Sequence, residues 1–189
     1  MTLFREAGPG DFEHVMRLCR QLHPEDPVLR DGSDAAAFAQ ILGSPGLQLF
    51  VLEADGAIVA TTYLNLIANL TRSASPYAVI ENVVVEETLR GTGLGKQIMA
   101  GTLQAAWDAG CYKAMLQTGS RTPATHAFYR ACGFSPDAKT AYLAAHHDPS
   151  PGPGHQITIC SRSTRSLTRG CGARHGRRRG PGKGSQRSR

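Results

Sequence analysis

Arg90-Gly91-Thr92-Gly93-Leu94-Gly95-Lys96 is the most informative stretch of this sequence. It follows an apolar, strand-like run at residues 77–85 and opens a helical pattern that extends to residue 109. A strand that turns through glycines into a helix presents free backbone N–H groups at the positive end of the helix dipole. The stretch therefore predicts a binding site for a phosphorylated ligand.

Two common phosphate-binding loops do not fit this stretch. A dinucleotide-binding fingerprint that starts at Gly91 requires a glycine where Lys96 stands. A Walker A loop that ends at Lys96 requires Ser or Thr where Gln97 stands, and glycine where Arg90 stands. What remains is the pattern Arg-x-x-Gly-x-Gly directly after a strand.

The periodicity of apolar residues around this stretch predicts strands and helices in the order βααβββαβαβ. The predicted strands lie at about residues 3–6, 48–53, 57–66, 77–85, 113–118 and 140–144. The predicted helices lie at about residues 12–22, 35–42, 94–109 and 123–132. Asp55-Gly56 is a strong hairpin signal, so the second and third strands are expected to pair antiparallel.

The distribution of charged residues along the chain of 189 residues changes at about residue 146. The formal net charge is +6, but residues 147–189 hold ten of the 21 Lys and Arg and one of the 15 Asp and Glu. This segment is also rich in Gly, Pro and Ser and poor in large apolar residues, which is typical of disorder. We therefore predict a folded domain at residues 1–146 and a basic, disordered tail at residues 147–189.

The five cysteines lie far apart and show neither a Cys-x-x-Cys pair nor a Cys/His metal spacing. Such usage is typical of a reduced, cytoplasmic protein without a bound metal. No apolar run approaches the roughly 18 residues of a membrane span, and the amino terminus lacks the pattern of a signal peptide. We therefore expect a cytoplasmic protein with no metal and no membrane partner.

Two motifs together resemble the GCN5-related N-acetyltransferase (GNAT) superfamily over residues 3–144. The first is Glu81-Asn82-Val83-Val84-Val85, followed by Arg90-x-x-Gly93-x-Gly95. The second is Phe128-Tyr129-Arg130-Ala131-Cys132-Gly133-Phe134. The sequences at residues 69–72 and 113–120 are similar to those of the bacterial small-molecule acetyltransferase branch of this superfamily.

The resemblance implies an α/β (α+β) fold, in which helices cover both faces of a mixed, mostly antiparallel sheet. The fourth and fifth strands would splay apart, and the peptide-like pantetheine arm of acetyl-CoA would pair with the free edge of the fourth strand. Acetyl-CoA is thus the implied co-substrate. The residues implied to hold it are Val83, Val84 and Val85 on the strand, and Arg90, Gly91, Thr92, Gly93, Leu94, Gly95 and Lys96 around the pyrophosphate.

The resemblance places a tyrosine, here Tyr129, next to the sulfur of the leaving CoA. A phenol can protonate the thiolate that leaves, because the pKa of a thiol, about 8.5, is close to the phenol's value of about 10. Glu81 is a carboxylate inside an apolar run, and it could accept the proton of the attacking amine. The alternatives are a core aromatic for Tyr129 and a surface position or salt bridge for Glu81. Asn82 is expected to point the other way and to be structural.

Two further positions are candidates for binding the acceptor. His23, with Glu25 and Asp26, follows the first helix, where the family has one wall of the acceptor site, and an acidic pair there would suit a cationic amine. Arg72 precedes the fourth strand and could meet a carboxylate or phosphonate on the acceptor. The alternative for each is a solvated turn or loop. One departure from the family is Thr122, where many members have an Asn that contacts the cofactor.

The sequence therefore predicts an enzyme that transfers an acetyl group from acetyl-CoA to a primary amine of a small molecule. Direct attack in a ternary complex is expected, although Cys132 lies close to the second motif. The alternatives are a protein lysine or N-terminal acetyltransferase and a catalytically silent acyl-CoA-binding module. Nucleic-acid binding through the Arg-rich tail is disfavoured because the tail lacks interleaved aromatic residues. A homodimer is open, since dimers are common in this family.

Overall fold

One five-stranded sheet organises the part of the chain that the computed structural model describes, residues 1–144. Its strands are β1 (Thr2–Glu6), β2 (Leu47–Ala54), β3 (Ala57–Ile67), β4 (Tyr77–Val85) and β5 (Ala114–Leu116). The helices are α1 (Phe12–Leu22), α2 (Ser33–Leu42), α3 (Leu94–Asp108) and α4 (Pro123–Ala131). Short 3-10 turns at Pro9–Asp11 and Glu87–Leu89 precede α1 and the glycine-rich stretch.

The strands lie side by side in sequence order, β1-β2-β3-β4-β5. The first three pairs are antiparallel, and β4 pairs with β5 in parallel. The β2–β3 hairpin turns through Asp55 and Gly56, whose φ angles of 49° and 79° are those of a tight hairpin turn. The predicted α/β (α+β) class, the mixed sheet and the antiparallel hairpin are therefore confirmed.

Helices cover both faces of the sheet. Alternate residues of β2 point to opposite faces, so the strand contributes to the apolar layer on each side. Leu49 and Val51 pack against α1 and α2, in a buried cluster that also contains Leu18 and Phe38. On the other face, Phe50 packs with residues of α3 and α4 in a second buried cluster. Each face thus buries its own apolar layer, and the two layers hold the sheet between two pairs of helices.

Strands β4 and β5 pair over only three residues. Ala78, Val79 and Ile80 face residues 114–116, and beyond Ile80 the structure described here places no strand on that edge of β4. The backbone of β4 from Glu81 to Val85 is therefore an open edge. This separation of the two strands is the predicted splay.

A β-bulge interrupts β4 at the point where the edge opens. Glu81 faces Tyr63 and Val84 faces Thr61, so two residues of β4, Asn82 and Val83, lie opposite a single residue of β3. Asn82 has a φ of 49°, a left-handed conformation that few residues other than glycine adopt. The bulge interrupts the two-residue alternation of side chains along β4.

The predicted strand at residues 140–144 is wrong: the structure has no strand there. Its two large apolar side chains, Tyr142 and Leu143, are exposed, so the segment buries nothing that would hold it in a sheet. Residues Met1–Ala141 form one compact unit. The predicted domain boundary at residue 146 and the basic tail at residues 147–189 lie outside the described residues.

Candidate active site

The glycine-rich stretch forms a tight loop between the 3-10 turn at Glu87–Leu89 and the start of α3 at Leu94. Gly91 and Gly93 have φ angles of 83° and 95°, in the region that side chains rarely adopt. The hydroxyl of Thr92 donates a 2.6 Å hydrogen bond to the carbonyl of Leu89 and fixes the turn between them. The loop shape thus depends on glycine at two positions.

The backbone donors of this loop are available to a ligand. Among residues 1–144, no hydrogen bond is donated by the N–H groups of residues 91–95. The N–H of Lys96 donates to the carbonyl of Gly93 at 3.0 Å, so Lys96 can offer only its ammonium group. Free N–H groups at a helix N-terminus bind anions well, because the donors and the helix dipole act together.

Gly95 has a packing role that the sequence did not reveal. A Cβ built there would lie 3.1 Å from Cε2 of Phe128 and 3.4 Å from Cγ2 of Val85. The missing side chain therefore lets α3 approach α4 and the end of β4. This places the glycine-rich loop directly beside the splay.

The open edge of β4 leads to the same loop. The N–H of Glu86 donates to the carbonyl of Val59 on β3, so the polar groups of Val85 and Val83 face the other, open side. On that side the carbonyl of Val85 accepts a 3.2 Å hydrogen bond from Nε of Arg90. Arg90 therefore folds back onto the end of β4. The side chain of Val84 is buried in the apolar cluster on the α1 and α2 face of the sheet.

Tyr129 lies half-buried on α4, beside the splay. Its ring contacts Phe128 and Phe134, with ring centroids 5.1 Å and 6.3 Å away. Burial raises the pKa of Tyr129, and the nearby Cys132 and the negative charge of Glu81 add to that rise. A phenol with a raised pKa stays protonated, so it remains a proton donor at neutral pH. Glu81 on β4 is therefore close enough to Tyr129 for its charge to act on the phenol.

Cys132 is not an activated nucleophile. Burial raises the pKa of its thiol, and the positive charge of Lys96 opposes that rise only in part. A neutral thiol attacks thioesters poorly, because the thiolate is the nucleophilic form. The raised pKa of the Cys132 thiol therefore favours direct transfer over an acyl-cysteine intermediate.

A cleft of about 310 Å³ opens on the α1 and α2 side of the sheet. It is lined by Met16, Cys19, Arg20, Leu22, His23, Asp26, Pro27, Val28, Leu29, Asp34 and Asn82. The cleft joins the predicted acceptor wall after α1 to the bulge of β4. Asn82, which is expected from the sequence to be structural, thus lines this cleft beside the bulge.

The two predicted acceptor-binding residues lie in different places. His23 lines the cleft, and its Nδ1 is 3.5 Å from Oε1 of Glu25. Arg72 does not line the cleft, and its guanidinium carbon is 6.0 Å from the ring centroid of Tyr112. The structure therefore brings His23 to the cleft but does not bring Arg72 to it.

Hydrogen bonds connect α1, which lines the cleft, to the turn that leads into the glycine-rich loop. Gln21 donates to Oε1 of Glu86 at 2.9 Å and accepts from the N–H of Glu87 at 2.9 Å. Arg17 forms an ion pair with Glu86 and donates to the carbonyl of Ile58 at 2.9 Å. The hydrogen bonds from Arg17 and then Gln21 lower the pKa of Glu86, so its carboxylate stays charged and fixes the turn.

We expect Gln21→Leu to weaken acetyl-CoA binding by about three- to tenfold. The substitution removes two hydrogen bonds of about 1 kcal/mol each, so ordering the turn on binding costs more. Calorimetry on the full-length protein measures the dissociation constant. Gln104→Leu is the matched control, because it removes a 2.8 Å hydrogen bond to Asp108 far along α3. Equal affinity in both variants would show that the α1 contacts do not position the loop.

Comparison with known proteins shows what the chain resembles. The sequence model of the acetyltransferase (GNAT) family matches residues 15–134. A probable glucosamine 6-phosphate N-acetyltransferase 2 of Oryza sativa subsp. japonica is 32% identical over 113 residues, covering 57% of this chain and 66% of that protein. An aminoglycoside N(6')-acetyltransferase type 1 of Stenotrophomonas maltophilia is 28% identical over 150 residues, covering 77% and 94%.

A solved structure supports the same comparison. The structure of a putative acetyltransferase from Agrobacterium tumefaciens str. C58 is 44% identical to this chain, with a TM-score of 0.72. The match covers 76% of this chain and 99% of that protein. Within residues 1–144, no helix is long and apolar enough to cross a membrane, and no group of three or more metal-ligating side chains is found.

Proposed function

The chain belongs to the acetyltransferase (GNAT) family and is an acyl-CoA-dependent N-acyltransferase, and we propose that it acetylates a primary amine of a small molecule by direct attack in a ternary complex. One observation carries the proposal. The open edge of β4 leads to a loop with free backbone donors, and Glu81 on that strand is near enough to Tyr129 of α4 for its charge to act on the phenol.

The proposed site for acetyl-CoA extends along β4 into the glycine-rich loop. The backbone of Val83 and the N–H of Val85 lie on the open edge of β4 and face the amide groups of the pantetheine arm, while the carbonyl of Val85 accepts from Arg90. The N–H groups of residues 91–95 face the pyrophosphate, and the charges of Arg90 and Lys96 lie beside it. Val84 contributes through the buried packing that holds the strand in place.

In the proposed reaction, the amine comes from the α1 and α2 side of the sheet, and Tyr129 acts from the α4 side. Glu81 accepts a proton from the ammonium group, directly or through a water molecule, because only the neutral amine can attack. The amine nitrogen then bonds to the carbonyl carbon of the thioester, and the carbon–sulfur bond breaks. Tyr129 donates its phenolic proton to the departing sulfur, and the amine nitrogen loses its second proton to solvent. Glu81 then loses its proton to solvent and Tyr129 regains one from solvent, which restores the starting state. The products are the N-acetylated amine and CoA.

The acceptor enters through the cleft on the α1 and α2 side, with His23 at its wall. A volume of about 310 Å³ suits one small molecule and is at the low end for ligand pockets. A protein lysine or N-terminal acetyltransferase would need an open groove for a peptide instead. The names of the rice and Stenotrophomonas relatives also give small-molecule amines as their acceptors. A role for Arg72 in binding, a cytoplasmic location and a homodimer stay predictions.

The test is turnover by the full-length protein with acetyl-CoA and a panel of small amines, lysine peptides and no acceptor. We expect free CoA thiol and an N-acetylated product to appear together with at least one small amine. Transfer to peptides alone would favour the protein acetyltransferase. Acetyl-CoA binding without transfer to any acceptor would favour the catalytically silent module.

A further inference from the structure

We infer that the acceptor is an amine that carries an apolar group, such as a single-ring arylalkylamine, and not a sugar phosphate or an aminoglycoside. This inference rests on the proposed function and names the substrate class of the same site. The composition, charge and size of the cleft carry it: the composition favours an apolar group, the charge disfavours a phosphate, and the size favours a single ring.

Apolar side chains dominate the cleft wall. Leu22, Val28 and Leu29 all line it and remain 39%, 68% and 46% exposed. Large apolar side chains are usually buried, and a group of them exposed around one cleft is typical of a ligand site. Met16 and Pro27 extend the same surface. A ligand that covers these side chains gains about 25 cal/mol for each Å² of apolar area removed from water.

The charges in the cleft suit a cation. The lining contains two carboxylates, Asp26 and Asp34, and Glu81 precedes the lining residue Asn82. Among the described lining residues, the permanent positive charge is that of Arg20 alone, and His23 lies beside a carboxylate of Glu25. A phosphate dianion would have to approach these carboxylates with a single guanidinium to offset them. An ammonium group meets favourable charge in the same place.

The position of the lining residues gives the amine a direction. Asn82 lies at the bulge next to Glu81, where β4 opens. Pro27, Val28 and Leu29 belong to the segment between α1 and α2. An acceptor with its nitrogen at Asn82 would therefore place its carbon skeleton against Val28 and Leu29.

The size of the cleft favours small acceptors. Ligand pockets usually have volumes of about 300 to 1,000 Å³, and this cleft of about 310 Å³ is at the lower limit. One ring with a short aminoalkyl chain fits such a volume. An aminoglycoside with several sugar rings would extend beyond it.

The experiment compares phenethylamine, glucosamine 6-phosphate and an aminoglycoside as acceptors for the full-length protein. We expect the highest kcat/KM with phenethylamine. Leu29→Ser should raise the KM for phenethylamine by about tenfold, since it removes apolar contact area. Leu29→Met keeps an apolar side chain, so its KM should stay close to the wild-type value. Leu70→Ser is the matched control, because Leu70 is fully exposed and does not line the cleft.

The outcomes separate this inference from the proposed function. A preference for glucosamine 6-phosphate or the aminoglycoside would overturn the inference and leave the acetyltransferase intact. An equal KM for phenethylamine in Leu29→Ser, Leu29→Met and Leu70→Ser would also overturn it. Failure to acetylate any amine, with acetyl-CoA still bound in a calorimetric titration, would overturn the proposed function itself.

Discussion

Gly93→Asp is expected to weaken acetyl-CoA binding by about 100-fold or more while the protein stays folded. Gly93 is the N-cap of α3, so a carboxylate there would lie at the free N–H groups of the loop. It would compete with the pyrophosphate for those donors and repel its negative charge. Losing charge-assisted hydrogen bonds of about 1.5 to 3 kcal/mol each accounts for this magnitude.

The backbone cost of this substitution can be measured separately. Gly110 also has a left-handed φ, 76°, with open space at its Cβ position, and it lies at the other end of α3. Gly110→Asp should therefore cost a similar amount of stability, about 1 to 3 kcal/mol, without changing the affinity for acetyl-CoA. Gly93→Ala imposes the backbone strain without the charge. Its affinity for acetyl-CoA should therefore lie between those of Gly93→Asp and Gly110→Asp. Equal affinity of all three variants would contradict the loop assignment.

Tyr129→Phe is expected to lower kcat by about 10² to 10⁴, with the affinity for acetyl-CoA nearly unchanged. The substitution removes the hydroxyl but keeps the ring contacts to Phe128 and Phe134. Steady-state kinetics gives kcat, and calorimetry gives the dissociation constant of acetyl-CoA. The loss of turnover should not be recovered at saturating substrate, because binding is not what changes.

The pH dependence of kcat gives this prediction a second measurement. Because burial, Cys132 and Glu81 raise the pKa of Tyr129, its proton is lost only above the ordinary phenol value of about 10. The wild-type enzyme should lose activity as the pH rises into that range, and Tyr129→Phe should lack this limb. Tyr112→Phe is the matched control, since Tyr112 is exposed and packs with Lys113 outside the cleft. Equal kcat in both variants would remove Tyr129 from the chemistry.

The bounds of β4 and the start of α3 could be predicted closely from the sequence. The apolar run ends at Val85, and glycines at positions 91 and 93 separate this strand pattern from the helical pattern that begins at Leu94. Such boundaries depend on local chemistry, namely backbone freedom and periodicity, which the sequence contains directly. The predicted strand at residues 140–144 was wrong because a short apolar run does not by itself specify a partner.

The place of Asn82 in the cleft and the packing of Gly95 could not be predicted, since both depend on contacts between distant parts of the chain. The bulge forms against Thr62 of β3, and Gly95 is fixed by Phe128 of α4. The cleft is a further example, because residues of α1, α2 and β4 form it together. The polar pair Glu81-Asn82 inside an apolar strand was the available signal, and it indicated the site but not which of the two residues enters the cleft.

A calorimetric titration of the full-length protein with acetyl-CoA tests directly whether the glycine-rich loop and β4 bind the cofactor. We expect saturable binding at one site per chain, for which free CoA competes, because the pyrophosphate and pantetheine groups are common to both. Folded protein that releases no heat and shows no binding would contradict the assignment of the Arg90–Lys96 loop.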